Sequence, residues 1–324
     1  MTGEAIIELR GLSVTLGGRE ILHGLTGELR GAAIGLLGPN GAGKSTLIHT
    51  LLGFYPASGG EAAVMGRSLR ERGRARLAML GYMPENDAFV AGLSGVELVK
   101  LMGELSGLPA AHALERAHEA LFRAGLGEAR YRTVETYSTG MKQSLKLAQA
   151  IVHGPRLVFL DEPTNGLDPA ARQRMLRLIR ELRDGGETAL VLSSHLLRDV
   201  EECCDEILIL HHGRIAAIRN LAAARSSGAG FWQVQLAAEA PAREQFLTAL
   251  RAAGHEISEL PAGRLSISMS AGGNARELYV QALRLGIQIR RLEPRHDDLE
   301  AIFLKALEAA PASALEVGHA LAGI

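Results

Sequence analysis

The chain is 324 residues long, with 47% hydrophobic and 22% charged residues, the composition of a globular protein of about two domains. Lys plus Arg (35) nearly balances Asp plus Glu (36), which excludes a global basic field that would gather nucleic acid or anionic lipid. No run of about 18 consecutive apolar residues occurs, so no bilayer-spanning helix is predicted and any membrane role falls to a partner.

The opening MTGEAIIELR has an acidic residue and no long apolar core, so it does not read as a signal peptide. Residues 5–37 read as strands: IIELRGLSVTL and REILHGLTGELR alternate around a Gly17-Gly18 break, and AIGLL is a short apolar run entering a glycine-rich turn. A helix is predicted over Lys44 to Leu52, followed by strand-like EAAVMG and LAMLGYMP. From Asp87 to about Val152 the pattern turns helical. Ser94 with Glu97 makes a capping-box signature before a helix Val96 to Leu105, and Ala113 to Ala124 continues as helix until Gly125. LVFL, TALVLSS and DEILIL are apolar strands separated by helical stretches, an alternation that implies a parallel sheet covered on both faces. Cys203 and Cys204 are neighbours and cannot staple distant elements, so they read as buried thiols in a reducing compartment.

The small residues of AAARSSGAG predict a linker over 223–230. Beyond it FWQVQL, AREQFLTALRAAG, HEISEL, RLSISMS, ARELYVQALRLG and IQIRRLE read as strand, helix, strand, strand, helix and strand. This βαββαβ order predicts a small α+β ferredoxin-like module over 231–310, with Trp232 in its core, a closing helix DDLEAIFLKAL and a tail over 311–324. Such a module can bind RNA, but that needs aromatic residues on the central strands and a basic face. From Phe231 to Ala310 there are 9 Lys/Arg against 10 Asp/Glu, and RLSISMS has no aromatic, so a dimerisation or regulatory role is expected instead.

The chemistry begins at Gly38, Pro39, Asn40, Gly41, Ala42, Gly43, Lys44, Ser45 and Thr46, which match the phosphate-binding pattern GxxxxGK[ST] between a strand and a helix. The glycines let the backbone wrap so that its N–H groups face phosphate oxygens, and the helix adds the positive end of its dipole. Lys44 suits the β- and γ-phosphates and Ser45 suits Mg²⁺. LVFL then runs into Asp161 and Glu162 at the carboxyl end of a strand, the end that faces the ligand crevice of an α/β sheet. Adjacent strand residues point opposite ways, so Asp161 is assigned to the Mg²⁺ shell and Glu162 to polarising the attacking water.

Those features fit many P-loop NTPases. The deciding segment is Tyr137-Ser138-Thr139-Gly140-Met141-Lys142-Gln143, which opens a predicted helix and resembles the signature motif of ABC ATPases, in the STGMKQ form of ABC-2-type drug and antibiotic exporters. The resemblance covers residues 4–222 and continues through PTNGLDP, with Asp168 as the D-loop acid, His195 as the switch histidine and Glu85 at the Q-loop position. It implies a RecA-like, mostly parallel sheet with an ABC β-subdomain and a helical subdomain at about 87–152. It also implies ATP and Mg²⁺ as cofactors, with Ser45, Glu85 and Asp161 at the metal. Ser138, Thr139, Gly140, Met141 and Asp168 would serve the nucleotide of a second subunit in a head-to-tail homodimer. A multi-span permease would be the membrane partner, holding the chain peripherally at the cytoplasmic face of the cell membrane. Phe89 and Leu93 are expected to line the groove that receives the permease.

Three positions depart from the family pattern. Leu16 stands near where an adenine-stacking aromatic is usual, Glu85 replaces a glutamine, and Ser144 stands where an arginine commonly follows the signature. Two rival readings follow, a soluble ABC ATPase with a non-transport target and a nucleotide sensor. A single P-loop and a transporter-sized helical insertion weigh against the first.

Overall fold

The computed structural model describes residues 4–71, 74–87, 89–221, 231–238, 240–260, 263–269 and 275–295; the linker, the closing helix DDLEAIFLKAL and the tail lie outside them. The chain forms two compact units that divide at Arg219/Asn220.

In the first unit, β1 (Ile7–Leu16) and β2 (Arg19–Leu29) pair antiparallel from Ile7↔Leu29 to Leu16↔Arg19. The two-residue turn between them needs positive φ at both positions, 58° at Gly17 and 79° at Gly18, which glycine supplies without a Cβ clash. With β4 (Gly59–Val64) and β5 (Arg67–Ser68) they make a sheet of order β2-β1-β4-β5.

The second sheet is built from β3 (Ala33–Leu37), β6 (Leu80–Met83), β7 (Leu157–Asp161), β8 (Ala189–Ser193), β9 (Glu206–His211) and β10 (Arg214–Asn220). Its order is β10-β9-β3-β8-β7-β6, and the five strands from β9 to β6 run parallel. β3, β7 and β8 are buried at every residue, the pattern of strands covered on both faces. Helix α1 (Lys44–Leu52) buries Leu47, Ile48, Leu51 and Leu52 in one core with Leu9, Leu12, Leu22, Val64 and Phe159. The glycines Gly43 and Gly53 flank it at both ends.

LAMLGYMP is not one strand. A short helix α2 (Arg74–Leu77) takes its first residue, Ala78 and Met79 turn, and β6 begins only at Leu80. The buried Arg76 guanidinium donates to Leu51 O at the end of α1, a tertiary tie that no periodicity announces.

A helical layer follows, of α3 (Gly95–Leu105), α4 (Ala110–Arg123) and α5 (Thr139–Ile151). The capping box forms as read: Ser94 Oγ accepts from Glu97 N, and Ser94 N donates to Glu97 Oε2 at 2.8 Å. α4 starts at Ala110, earlier than the pattern suggested, with Pro109 at its N-cap. Phe89 and Leu93 pack half-buried against the apolar core of this layer. Tyr137, the first residue of the signature segment, is also a packing residue. Its hydroxyl donates to Ala129 O at 2.7 Å, and a Cβ on Gly95 would come within 2.4 Å of it. The unit is completed by α6 (Pro169–Asp184) and α7 (Leu197–Cys203). Cys203 and Cys204 are both buried and in no disulfide, and burial pushes the Cys203 thiol up to about 12, which disfavours its thiolate.

The second unit contains β11 (Phe231–Ala237), α8 (Ala240–Ala252), β12 (Glu256–Leu260), β13 (Arg264–Ser268), α9 (Ala275–Arg284) and β14 (Gln288–Arg295). The order β12-β13-β11-β14, antiparallel throughout, interlocks the two βαβ halves of the ferredoxin-like pattern. Val234, Phe246, Leu250, Leu265, Ile267 and Leu278 form its core, with Trp232 packed half-buried against them.

Candidate functional site

β3 ends at Leu37, and the chain winds through Gly38–Gly43 into α1. Gly41 and Gly43 hold φ of 78° and 103°, and a Cβ on Gly43 would meet the Leu22 side chain at 2.6 Å. In the first turn of α1 the amides of Lys44, Ser45 and Thr46 have no intrahelical acceptor, so their donors and the helix dipole suit an anion. The Lys44 ammonium is buried along the loop, donating to Gly38 O at 2.7 Å and lying 4.0 Å from Glu162 Oε1. Burial pushes its pKa down, and the carboxylates of Glu162, Asp161 and Glu85 oppose that.

The two acids at the end of β7 face different partners. Asp161 Oδ1 accepts from Ser193 Oγ at 2.5 Å and from Ser45 Oγ at 3.5 Å. Glu162 takes a φ of 48°, unusual for a residue with a Cβ, and its amide donates to Ser193 O and Ser193 Oγ at 3.2 and 3.1 Å. The turn aims its carboxylate into the cleft, where Oε2 meets His195 Nδ1 at 2.8 Å. Glu85, just past β6, accepts from Asn165 Nδ2 at 3.1 Å. Together Asn40 to Thr46, Glu85, Glu162, Asn165 and His195 line a cleft of about 1080 Å³, with Arg19, Glu20, Ile21, His23, His212 and Gly213 also on its wall.

The other predicted residues lie apart from it. Ser138 is the N-cap of α5, its Oγ accepting from Met141 N at 3.3 Å. Ser138, Thr139, Gly140 and Met141 border a second hollow of about 520 Å³ with Ser144, Leu167 and Asp168. The Asp168 carboxylate caps α6 by accepting from Ala171 N at 2.8 Å. Within one chain the two groups of residues stay separate. Leu16 packs half-buried on the core of the first sheet and does not line the cleft.

Sequence reasoning passed over several residues that shape the site. Ser193 bridges Asp161 and the Glu162 amide, Gln143 Nε2 donates to Asn165 O at 3.4 Å, and buried Asp199 accepts from Thr164 Oγ1 at 2.6 Å and from the Arg172 guanidinium. Asn165 stands inside PTNGLDP and Gln143 inside STGMKQ, where the motifs mark them without giving their contacts; Ser193 and Asp199 carry no local signal.

The Ser45 hydroxyl and the Asp161 and Glu85 carboxylates give hard oxygen donors beside the loop. That set of one hydroxyl and two carboxylates fits Mg²⁺, which is bound through one or two carboxylates and otherwise by water and phosphate oxygens. Among the described residues no three His, Cys, Asp or Glu side chains cluster into a closed metal cage. The loop, the orphan amides and the buried lysine can hold a nucleotide's phosphates, and the Glu162–His195 pair can work on a water beside them.

Comparison with known proteins agrees with this chemistry. Residues 23–165 match the ABC transporter family model. The chain is 39% identical over 215 residues to the uncharacterized ABC transporter ATP-binding protein YdbJ of Bacillus subtilis (strain 168), covering 66% of this chain and 69% of that one. It is 31% identical over 307 residues to the linearmycin resistance ATP-binding protein LnrL of the same organism, covering 92% and 97% respectively. Among solved structures, an ATP-binding subunit of an ABC transporter superposes with a TM-score of 0.60 at 25% identity, over 86% of this chain and 99% of that one. The chain therefore belongs to the ATP-binding proteins of ABC transporters and is an ATPase.

Proposed function

We propose that this chain is the ATP-hydrolysing subunit of an ABC-2-type drug or antibiotic exporter, working as a head-to-tail homodimer beneath a separate multi-span permease at the cytoplasmic face of the membrane. The observation that carries the catalytic part is the Glu162–His195 pair 4.0 Å from the buried Lys44 of the phosphate loop. The exporter part draws on the similarity to LnrL, which extends over 97% of that resistance protein.

In this reading Gly38 to Thr46 cradle the phosphates and Lys44 neutralises their charge. Glu162 accepts the proton of the attacking water, and His195, hydrogen-bonded to it, orients the carboxylate. Mg²⁺, when bound, would supply positive charge that offsets negative charge developing in the transfer. Ser45, Asp161 and Glu85 would hold it. Ser138 to Met141 and Asp168 border a hollow separate from the phosphate cleft, so they would complete the cleft of a second copy. Closure of two copies around ATP, and release after hydrolysis, would be the two-state element that drives the permease.

Two outcomes are expected of this site. The cleft lining holds no Tyr, Phe or Trp, so the strong base stack such a ring would give, worth about 1–3 kcal/mol, is missing. ATP and GTP should therefore compete for a fluorescent nucleotide within about tenfold of each other; a preference of a hundredfold or more would contradict this. Phe89→Asp, at the edge of the helical layer, should abolish drug efflux while basal ATPase stays within about twofold, because it removes apolar surface for the permease and leaves the cleft intact. Loss of both activities would mean a folding defect.

The experiment that tests the whole reading is gentle affinity purification of the tagged chain from membranes. A stoichiometric multi-span partner is expected. Recovery from the soluble fraction alone would sink the exporter reading and leave an ATPase with another target.

A further inference from the structure

Lys146 is a buried cation with an unusual set of partners. It lies in α5 between Leu145 and Leu147, and its side chain is 1% exposed. An ammonium in such surroundings is costly unless its donors are satisfied. Its Nζ donates to Glu85 O at 2.7 Å and Pro84 O at 3.0 Å, with Asp87 Oδ1 at 3.5 Å, so three acceptors surround a group that has three donors. Two of the three are main-chain carbonyls of the segment leaving β6, where β6's own pairing has ended at Met83.

That segment carries Glu85 to the phosphate cleft. One helical turn before Lys146, Gln143 donates to Asn165 O, and Asn165 Nδ2 donates to Glu85 Oε1. Helix α5 thus grips both halves of the Glu85–Asn165 pair, one through each of two residues on one face. The same helix begins at Ser138 to Met141, so the phosphate-facing carboxylate and the helix start are mechanically joined.

We propose that Lys146 is a positioning residue for ATP hydrolysis: it clamps the Pro84–Glu85 backbone to α5, holding the Glu85 carboxylate at the cleft edge and tying it to the helix that starts with Ser138–Met141. The proposal rests on the function given above, and two independent readouts separate the fate of each.

The test compares the full chain with Lys146→Met, Lys146→Arg and Asp87→Ala. Without nucleotide, hydrogen exchange of the amides at residues 85–87 in Lys146→Met is expected to rise at least tenfold, while β7 and α1 stay within threefold. ATPase kcat should fall at least tenfold with KM within threefold, and Lys146→Arg, which keeps the charge and donors, should recover most of both. Where Lys146→Met does not fold, Asp87→Ala removes the half-exposed third partner and should raise exchange at 85–87 at least threefold. The clamp is overturned by unchanged exchange at 85–87, by free-chain exchange there in the unaltered protein, or by a rise spread evenly over α5, β6 and β7. It is equally overturned by a fall in turnover that Lys146→Arg does not relieve. An unaltered protein that hydrolyses no ATP would instead defeat the functional reading, leaving the exchange result to decide the clamp.

Discussion

Glu162→Gln is expected to lower steady-state ATP hydrolysis by at least about a hundredfold, the scale of a lost general base, while ATP binding stays within about threefold. The amide keeps the shape of the side chain and can still meet His195 Nδ1, now 2.8 Å from Glu162 Oε2, but it cannot take a proton from water. The backbone turn at φ 48° is held by Ser193 through the residue's own amide, so the substitution leaves the path of the chain unchanged. Losing the carboxylate also removes a negative charge 4.0 Å from the Lys44 ammonium, which favours anionic phosphates and protects affinity. Phosphate release and fluorescent-nucleotide binding, measured side by side, check the pair of effects. Equal, near-zero rates in both proteins would point to a nucleotide sensor, and equal, substantial rates would mean that another group activates the water.

The largest stability effect is expected at a residue outside the cleft. Asp199 is fully buried, accepting from Thr164 Oγ1 at 2.6 Å and from the Arg172 guanidinium. Asp199→Ala would strand the Thr164 hydroxyl in the interior and leave Arg172 without its carboxylate. The Arg172 side chain is 28% exposed, so water takes over part of its hydration, and the cost falls to about 2–4 kcal/mol rather than the larger penalty of a sealed charge. For a unit of about 220 residues that corresponds to a fall in Tm of roughly 5–15 °C by calorimetry. Asp199→Asn, which can still accept from Thr164, should lose less than half as much. A Tm within 2 °C of the unaltered protein for Asp199→Ala would refute the assignment. Because Thr164 and Arg172 flank Asn165 and Asp168, hydrolysis measured well below Tm should drop as well.

The parts of this protein legible in its sequence are those whose physics is local. Gly41, Gly43, Lys44 and Ser45 lie within five consecutive positions, and their backbone requirements and the start of α1 follow from residue type alone. The capping box at Ser94 and Glu97 spans one helical turn. The continuous apolar runs at Leu157 and Ala189 predicted strands covered on both faces because a parallel sheet leaves no strand face for water. The βαββαβ order of the second unit was readable for the same reason: each period of two or 3.6 residues belongs to one element.

What failed to show was whatever one element imposes on another. LAMLGYMP reads as a strand by composition, but Arg76 reaching Leu51 O holds its start in a helical turn. Ser193 looks like a strand end until the order β8-β7 sets it beside Asp161 and the Glu162 amide. Lys146 looks like one more surface lysine on a helix, and only the packing of α5 on the segment after β6 encloses it. The sequence by itself determined the glycine-lysine loop, the two acids after LVFL, most of the element types and the family, because each depends on neighbours along the chain. The tertiary structure alone decided that Glu162 pairs with His195 across 33 positions, that Lys146 grips Glu85 across 61, and that the signature residues border a separate hollow from the P-loop. Those contacts follow from sheet order and helix docking, which bring together residues whose separation along the chain carries no trace of their distance in space.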